Sequence, residues 1–144
     1  MKNGVITKII GVVIDVRFEA GNVPAIYDAV EVQGHKEKLT LEVQQQLGDG
    51  VVRTIAMGAV DGLKRGLEVS QTGAPITVPV GEGVLGRMFD VLGNPIDGLE
   101  APKATFNDPI HRASPKFADL ANKAEVFETG IKVIDIIAPM LKDG

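Results

Sequence analysis

The chain has no cysteine and no tryptophan, and its aromatic residues are five phenylalanines and one tyrosine among 144 residues. Without cysteine it can form neither disulfides nor thiolate metal sites, which fits a reducing compartment. With so few aromatic side chains, a core must be built from valine, isoleucine and leucine, and this β-branched bias favours strands. These absences together predict a small, aliphatic, mainly β core.

Charge and hydropathy exclude further classes of protein. The net charge is −4 and no cluster of lysine and arginine occurs, whereas a nucleic-acid surface needs a concentrated basic patch. No apolar run approaches the roughly 20 residues that span a bilayer. The first residues, 1–4, lack the apolar segment of a signal peptide, and the pattern of a transit peptide is missing too. We expect no nucleic-acid partner, and membrane association only through another protein.

From Val5 to Val80, apolar and polar residues alternate with the period of two that is typical of strands. In the first run the alternation places Ile6, Ile10 and Val12 on one face, and Gly11 within the run predicts a bulge or a sharp bend. Glycine, aspartate, asparagine and proline separate the later runs. The predicted strands are region 5–18 and the runs 29–33, 39–44, 51–57, 67–70 and 76–80. About six short strands at this spacing predict a small closed β-barrel over residues 1–80.

After residue 80 the pattern changes to glycine-punctuated connections and a polar loop at 99–108. Ser114 and Pro115 predict the start of a short helical turn. Thr129 predicts the cap of a helix that includes residues 131–138 and stops at Pro139. One helix and too few strands to close a sheet make residues 81–144 the incomplete start of a second domain. We expect the residues after about Val80 to be partly disordered or to pair with another copy.

Two glycine patterns bear on nucleotide binding. Residues 81–86 read GEGVLG and match G-x-G-x-x-G, but Gly93, Pro95 and Gly98 leave no room for the helix that such a phosphate site needs. We interpret this segment as a turn between domains. The other pattern, G-x-x-x-x-G-K-[ST], occurs nowhere in the 144 residues, and its nearest fragment is Gly130–Lys132. We therefore predict no catalytic, cofactor-binding or metal-binding residue in this chain.

Other polar residues have simpler interpretations. His35 lies in a predicted turn and is expected to be solvated. His111 is expected to make a structural hydrogen bond, since no partner base or nucleophile is apparent. Two histidines this far apart do not give metal-ligand spacing. Asp90, Asp97 and Asp135 resemble turn residues more than an acid–base pair.

Arg53 lies within a predicted strand that is otherwise mostly apolar. It could face a neighbouring element, but a salt bridge or a packed stem within the chain is the preferred interpretation.

Four segments resemble, in the same order, the catalytic beta subunit of F-type ATP synthases. They read LEVQQQLGDGVVRTIAMG (41–58), PVGEGVLGRMFDVLGNPIDG (79–98), PIHRASP (109–115) and ETGIKVIDIIAP (128–139). The resemblance implies an amino-terminal crown barrel, followed at 81–144 by the truncated start of a RecA-like α/β nucleotide-binding domain that ends before the phosphate-binding loop. The parent makes ATP from ADP and phosphate with a proton gradient, and it binds Mg-ATP or Mg-ADP.

The resemblance also implies partners and a place in the cell. Beta subunits alternate with alpha subunits in a ring of six around a central shaft, and the complex is peripheral to an energy-transducing membrane, on the cytoplasmic face in bacteria or the organelle equivalent. This fragment alone is expected to assist ring assembly and to be inactive as an enzyme. Alternatives are a fragment of an alpha, vacuolar-type, flagellar or secretion ATPase subunit, or a stand-alone barrel that binds oligonucleotides, which the charge of −4 and the single tyrosine disfavour.

Overall fold

The computed structural model describes residues 3–103, 106–119 and 125–142. Its strands are β1 (Asn3–Ile10), β2 (Val13–Phe18), β3 (Asp28–Val32), β4 (Leu39–Gly48), β5 (Val51–Ala56), β6 (Glu68–Pro75), β7 (Thr77–Val80), β8 (Phe106–Pro109), β9 (Val126–Phe127) and β10 (Met140–Leu141). One α-helix among these residues, α1, spans Lys132–Ile137, and 3₁₀ turns lie at Glu82–Val84 and Phe117–Asp119.

The first six strands form a closed antiparallel barrel in the order β1-β2-β5-β4-β3-β6, and β6 pairs back to β1. Successive side chains of a strand point to opposite faces, so every second residue enters the interior. The interior is filled by Ile6, Ile14, Val16, Phe18, Val30, Val32, Leu39, Leu41, Val43, Val52 and Val69. Each such side chain contributes about 1.5–3 kcal/mol through burial. The predicted mainly β fold with a small closed barrel is confirmed.

The first predicted strand proves to be two strands. Gly11, with φ of 57°, and Val12 make a two-residue turn, and Ile10 pairs with Val13 across it. As a result Ile10 and Val12, which the alternation placed on the same face as Ile6, lie at the tip of a hairpin and are 53% and 51% exposed. The bend expected at Gly11 is therefore a complete reversal of the chain.

The last predicted strand lies outside the barrel. Residues of β7 pair with β8 and not with a barrel strand, so the inclusion of run 76–80 in the barrel was wrong. Alternation alone does not tell which partner a strand takes. The barrel still has six strands because the first run supplies two of them.

The chain divides into two compact units, residues 1–112 and 113–144. The first unit extends past the predicted boundary at Val80 because the β7–β8 hairpin holds residues 106–109, and the Ile110 amide donates to the Ile76 carbonyl at 3.0 Å. That residues 81–144 lead into a nucleotide-binding domain stays a prediction.

In the second unit, β9 pairs with β10, and α1 confirms the predicted helix. The residue that caps α1 is Ile131 rather than Thr129, and it makes no side-chain capping bond. Thr129 instead accepts a hydrogen bond from the Ile131 amide at 3.1 Å. The turn expected at Ser114 begins three residues later, at Phe117.

Candidate functional site

The glycine-rich segment at 81–86 is a turn, as interpreted from the sequence. It forms a single 3₁₀ turn at Glu82–Val84, after which Leu85 is extended. A Cβ atom on Gly83 would lie 2.7 Å from the carbonyl oxygen of Lys103, so glycine is needed there for a close backbone approach. The glycine therefore has a packing reason that involves no phosphate.

The carboxylates of Asp90 and Asp97 organise the loops after β7. Asp90 accepts hydrogen bonds from the amides of Leu92 and Asn94 and from the Asn94 side chain, and that side-chain bond is the main cause that lowers its pKa. Asp97 pairs with the Arg87 guanidinium, which holds the pKa of this carboxyl well below its usual range. The interpretation of both residues as turn chemistry is confirmed.

Asp135 has the same kind of role in the second unit. Its carboxylate accepts from the hydroxyl of Thr129 at 2.6 Å and from the amides of Thr129 and Gly130 at 3.0 and 3.1 Å. The Thr129 hydroxyl is the main cause that lowers the pKa of Asp135. Asp135 thus fixes the turn that precedes α1, in agreement with its interpretation as a turn residue.

His35 is more than a solvated turn residue. Its Nδ1 lies 3.0 Å from the Glu37 carbonyl oxygen, and its Nε2 lies 3.1 Å from the Asp61 carbonyl oxygen. The half-buried ring therefore bridges two loops that are 26 residues apart in sequence. The expectation of simple solvation was wrong because it took account only of neighbours along the chain.

His111 makes the structural hydrogen bond that was expected, and its partner is a buried carboxylate. Its Nε2 lies 3.0 Å from Oε2 of Glu42, whose side chain is only 4% exposed. The other carboxylate oxygen, Oε1, accepts from the side-chain amide of Gln44. Glu42 is on the outer face of β4, between the core residues Leu41 and Val43. Both oxygens are satisfied, as a buried carboxylate requires.

The Tyr27 ring covers the same contact. It is stacked on the His111 imidazole, with the ring centroids 4.0 Å apart and the planes 22° from parallel. Tyr27 has φ of 72°, a rare conformation for a large side chain that costs about 1–3 kcal/mol. Its amide donates to the Val43 carbonyl at 2.7 Å, which helps to hold the strained backbone.

Sequence reasoning did not single out Tyr27 or Glu42. A glutamate at an outward position of a strand has the same pattern whether solvent or another segment covers it. Only the three-dimensional position of His111, 69 residues away, shows that Glu42 is covered.

Arg53 forms the salt bridge within the chain that the sequence favoured, with Asp15 on the neighbouring strand β2. On the rest of the barrel, several large apolar side chains remain between 42% and 53% exposed: Val5, Ile10, Val12, Ile26 and Leu47.

A cleft of about 690 Å³ lies beside the β7–β8 hairpin and is lined by Leu92, Pro95, Lys103, Phe106 and Asn107 among others. Of the described residues that line it, only Lys103 is charged, so it holds no acid–base pair. Within the described part of the chain, no group of three or more histidine, aspartate or glutamate side chains could hold a metal ion.

The barrel region matches a known protein family. Residues 6–73 match the model of the ATP synthase alpha/beta family, beta-barrel domain. The matched segment begins within β1 and ends within β6, so it covers most of the six barrel strands. In the ranges that the structure describes, no helix is long and apolar enough to cross a membrane.

Proposed function

We propose that this chain is the amino-terminal part of the beta subunit of an F-type ATP synthase and that its own role is ring assembly; the match of residues 6–73 to the barrel model of the ATP synthase alpha/beta family supports this. The observation that carries the proposal is that the matched segment, 6–73, contains most of the six strands of the barrel, which residues 3–5 close by pairing with β6. The strings at 27–32 (YDAVEV) and 41–58 both resemble beta, and this supports beta over alpha.

A closed barrel suits assembly for a physical reason. Its ladder leaves no unpaired strand edge, so association uses side chains on a rigid surface and avoids edge-to-edge aggregation. Val5, Ile10 and Leu47 offer exposed aliphatic area on β1 and β4. We propose that alpha subunits on either side of the chain, in an alternating ring of six, cover such positions.

Nucleotide chemistry belongs, in this proposal, to the parent subunit. The parent makes ATP from ADP and phosphate at the expense of a proton gradient, with Mg-ATP or Mg-ADP bound in its nucleotide-binding domain. The chain would reach the energy-transducing membrane only through the complex, and the central shaft would contact the parent's later domains.

The alpha subunit is the second candidate, because the matched family covers both subunits. Sedimentation of the labelled chain with purified alpha subunit, and separately with purified beta subunit, distinguishes them. A beta-type barrel is expected to associate with alpha and not with beta. Association with beta alone would identify an alpha-type barrel, and association with neither would contradict the assembly role.

The interface can be tested in the same experiment. Val5→Asp places a charge on an outward position of β1 and is expected to weaken association with alpha at least tenfold, since a charge buried in an interface is costly. Ala59→Asp, at an exposed position on the loop between β5 and β6, introduces the same carboxylate outside the strands and is the matched control. Equal affinities for the two variants would contradict the placement of β1 in the interface.

A further inference from the structure

We propose that Tyr27, Glu42 and His111 form a latch that holds the segment 106–112 against the outside of the barrel and can open while the barrel stays folded. The three side chains come from three distant parts of the chain: the loop before β3, the middle of β4, and the residues after β8. His111, the last of the three in the sequence, is one residue before Arg112, where the first compact unit ends.

The buried carboxylate gives the latch its specificity. Glu42 is on the outer face of β4, yet its side chain is only 4% exposed because His111 and Gln44 take its two oxygens. An apolar contact would tolerate sliding of the segment, whereas a carboxylate oxygen 3.0 Å from an imidazole nitrogen fixes one position. If the latch opens, water must reach Glu42, so the open and closed states are discrete.

In the closed state the backbone of Tyr27 is strained, so other contacts must offset the free energy of this strain. Tyr27 keeps φ of 72° while its ring stacks on His111 at 4.0 Å. Backbone strain in a large side chain persists only where surrounding contacts determine it. Here the determining contacts are the imidazole on one side and the hydrogen bond from the Tyr27 amide to the Val43 carbonyl on the other.

The latch is also exposed enough to open without disruption of the core. The side chain of His111 is 39% exposed and Tyr27 is 44% exposed, and neither belongs to the barrel interior. Beyond it, segment 106–112 is held by the β7–β8 ladder and by the hydrogen bond from the Ile110 amide to the Ile76 carbonyl. Opening is therefore expected to expose the Ile110 amide and to leave the barrel ladder intact.

Hydrogen exchange by NMR on the whole chain tests this proposal with two reporter amides. The Ile110 amide reports on the segment, and the Met57 amide, which donates to the Thr40 carbonyl of β4 at 2.9 Å, reports on the barrel. His111→Ala is expected to speed exchange at Ile110 about tenfold and at Met57 less than twofold, since it removes a hydrogen bond to a charged group. His35→Ala is the matched control and should leave Ile110 unchanged.

Variants of Tyr27 distinguish a specific role of its ring in holding segment 106–112 from a general contribution of Tyr27 to the stability of the barrel. Tyr27→Phe keeps the stacked ring and is expected to change exchange at Ile110 less than twofold. Tyr27→Gly removes the ring but also relieves the strained φ, so Ile110 should exchange faster while Met57 exchanges no faster than in the wild type. The proposal is overturned if His111→Ala leaves Ile110 unchanged, or if either His111→Ala or Tyr27→Gly accelerates both amides equally.

Discussion

The guanidinium group of Arg53 makes two parallel hydrogen bonds to the carboxylate of Asp15, from Nε to Oδ1 at 2.9 Å and from Nη2 to Oδ2 at 3.1 Å. The two residues lie directly opposite each other on β5 and β2 and face outward from the barrel. Asp15 is 7% exposed, so Arg53 is what shields and neutralises it. The Asp15 hydrogen bond is also the main cause that raises the pKa of Arg53.

Removal of this arginine should therefore cost more than removal of an exposed one. Arg53→Ala leaves the covered Asp15 carboxylate without its cation, and we expect a clear fall in Tm by circular dichroism. Arg112→Ala is the matched control, because its side chain is 69% exposed and its pair with Asp108 is of the kind worth about 0–1 kcal/mol. Equal falls in Tm for the two variants would show that the Asp15 pair adds nothing particular to the barrel.

The strands show which features the alternation of apolar and polar residues predicts correctly and which it does not. Alternation at residues 39–43 placed Leu39, Leu41 and Val43 on one face, and all three are in the core. The same rule failed at Ile10 and Val12, because alternation cannot show that the chain reverses between them.

Contacts between residues that are distant in the sequence are the second feature that the sequence does not predict. The interpretation of Arg53 as a salt-bridged residue needed only its polar character within an apolar strand. The choice of Asp15 as its partner depends on the register between β2 and β5, which no local pattern contains. The covering of Glu42 by His111 depends likewise on the path of the chain after β8, so no local pattern predicts it.

Gly50 is expected to be the least replaceable of the turn glycines outside the strands. It has φ of 74°, and a Cβ atom there would lie 2.3 Å from the carbonyl oxygen of Phe18. Gly50 also accepts the hydrogen bond of the Phe18 amide at 2.8 Å, so the two backbones cannot move apart freely. Gly50→Ala is expected to lower the free energy of unfolding in urea by more than 2 kcal/mol, roughly the cost of φ strain plus a clash.

Gly62→Ala distinguishes the effect of φ strain from the effect of a clash with a neighbouring atom. Gly62 has a similar φ of 78°, but nothing lies within 4 Å of a Cβ there. We expect a loss of about 1–2 kcal/mol from φ strain alone. If Gly50→Ala costs no more than Gly62→Ala, the close approach to Phe18 does not restrict this turn.

The ionised carboxylate of Asp97 is expected to stabilise the fold at neutral pH and to lose this contribution at acid pH. Its pKa lies well below its ordinary value of 3.8, first because Arg87 donates a side-chain hydrogen bond to it, and the amides of Leu99 and Met88 add to this. A carboxyl whose pKa is lower in the folded state stabilises the fold above its unfolded pKa and loses this contribution as pH falls through the folded pKa. The wild type should therefore exceed Asp97→Asn in stability at neutral pH, and the difference should shrink once the pH falls below 3.8.

Urea unfolding of both proteins at about pH 6 and about pH 3 measures that difference. In Arg87→Ala, the pKa of Asp97 followed by NMR should move up toward its ordinary value, because the largest cause of the shift is gone. A difference between wild type and Asp97→Asn that is the same at both pH values would contradict the assignment.

Truncation tests the end of the first compact unit. A chain that ends at Arg112 keeps β8 and His111 and is expected to unfold close to the temperature of the whole chain. A chain that ends at Val80 loses both, so the Glu42 carboxylate has no imidazole partner and the Tm should fall. Identical Tm values for the two truncated chains would place the end of the stable unit at residue 80.

The effect of Glu42→Gln on the Tm is expected to have opposite signs in the whole chain and in the chain that ends at Val80. In the whole chain it weakens a satisfied contact and should lower the Tm. In the chain that ends at Val80 it removes a charge without its partner and should raise the Tm. The same sign in both chains would contradict the view that the imidazole of His111 satisfies Glu42.

Calorimetric titration of the purified chain with Mg-ATP, with Mg-ADP as the control, tests most directly whether this chain contributes assembly and leaves nucleotide chemistry to other parts of the parent subunit. No binding is expected at millimolar nucleotide, because the sequence has no phosphate-binding loop and residues 81–86 form a turn beside Lys103. Stoichiometric binding at micromolar affinity would mean that the chain has a nucleotide site of its own, and it would contradict the proposed division of roles.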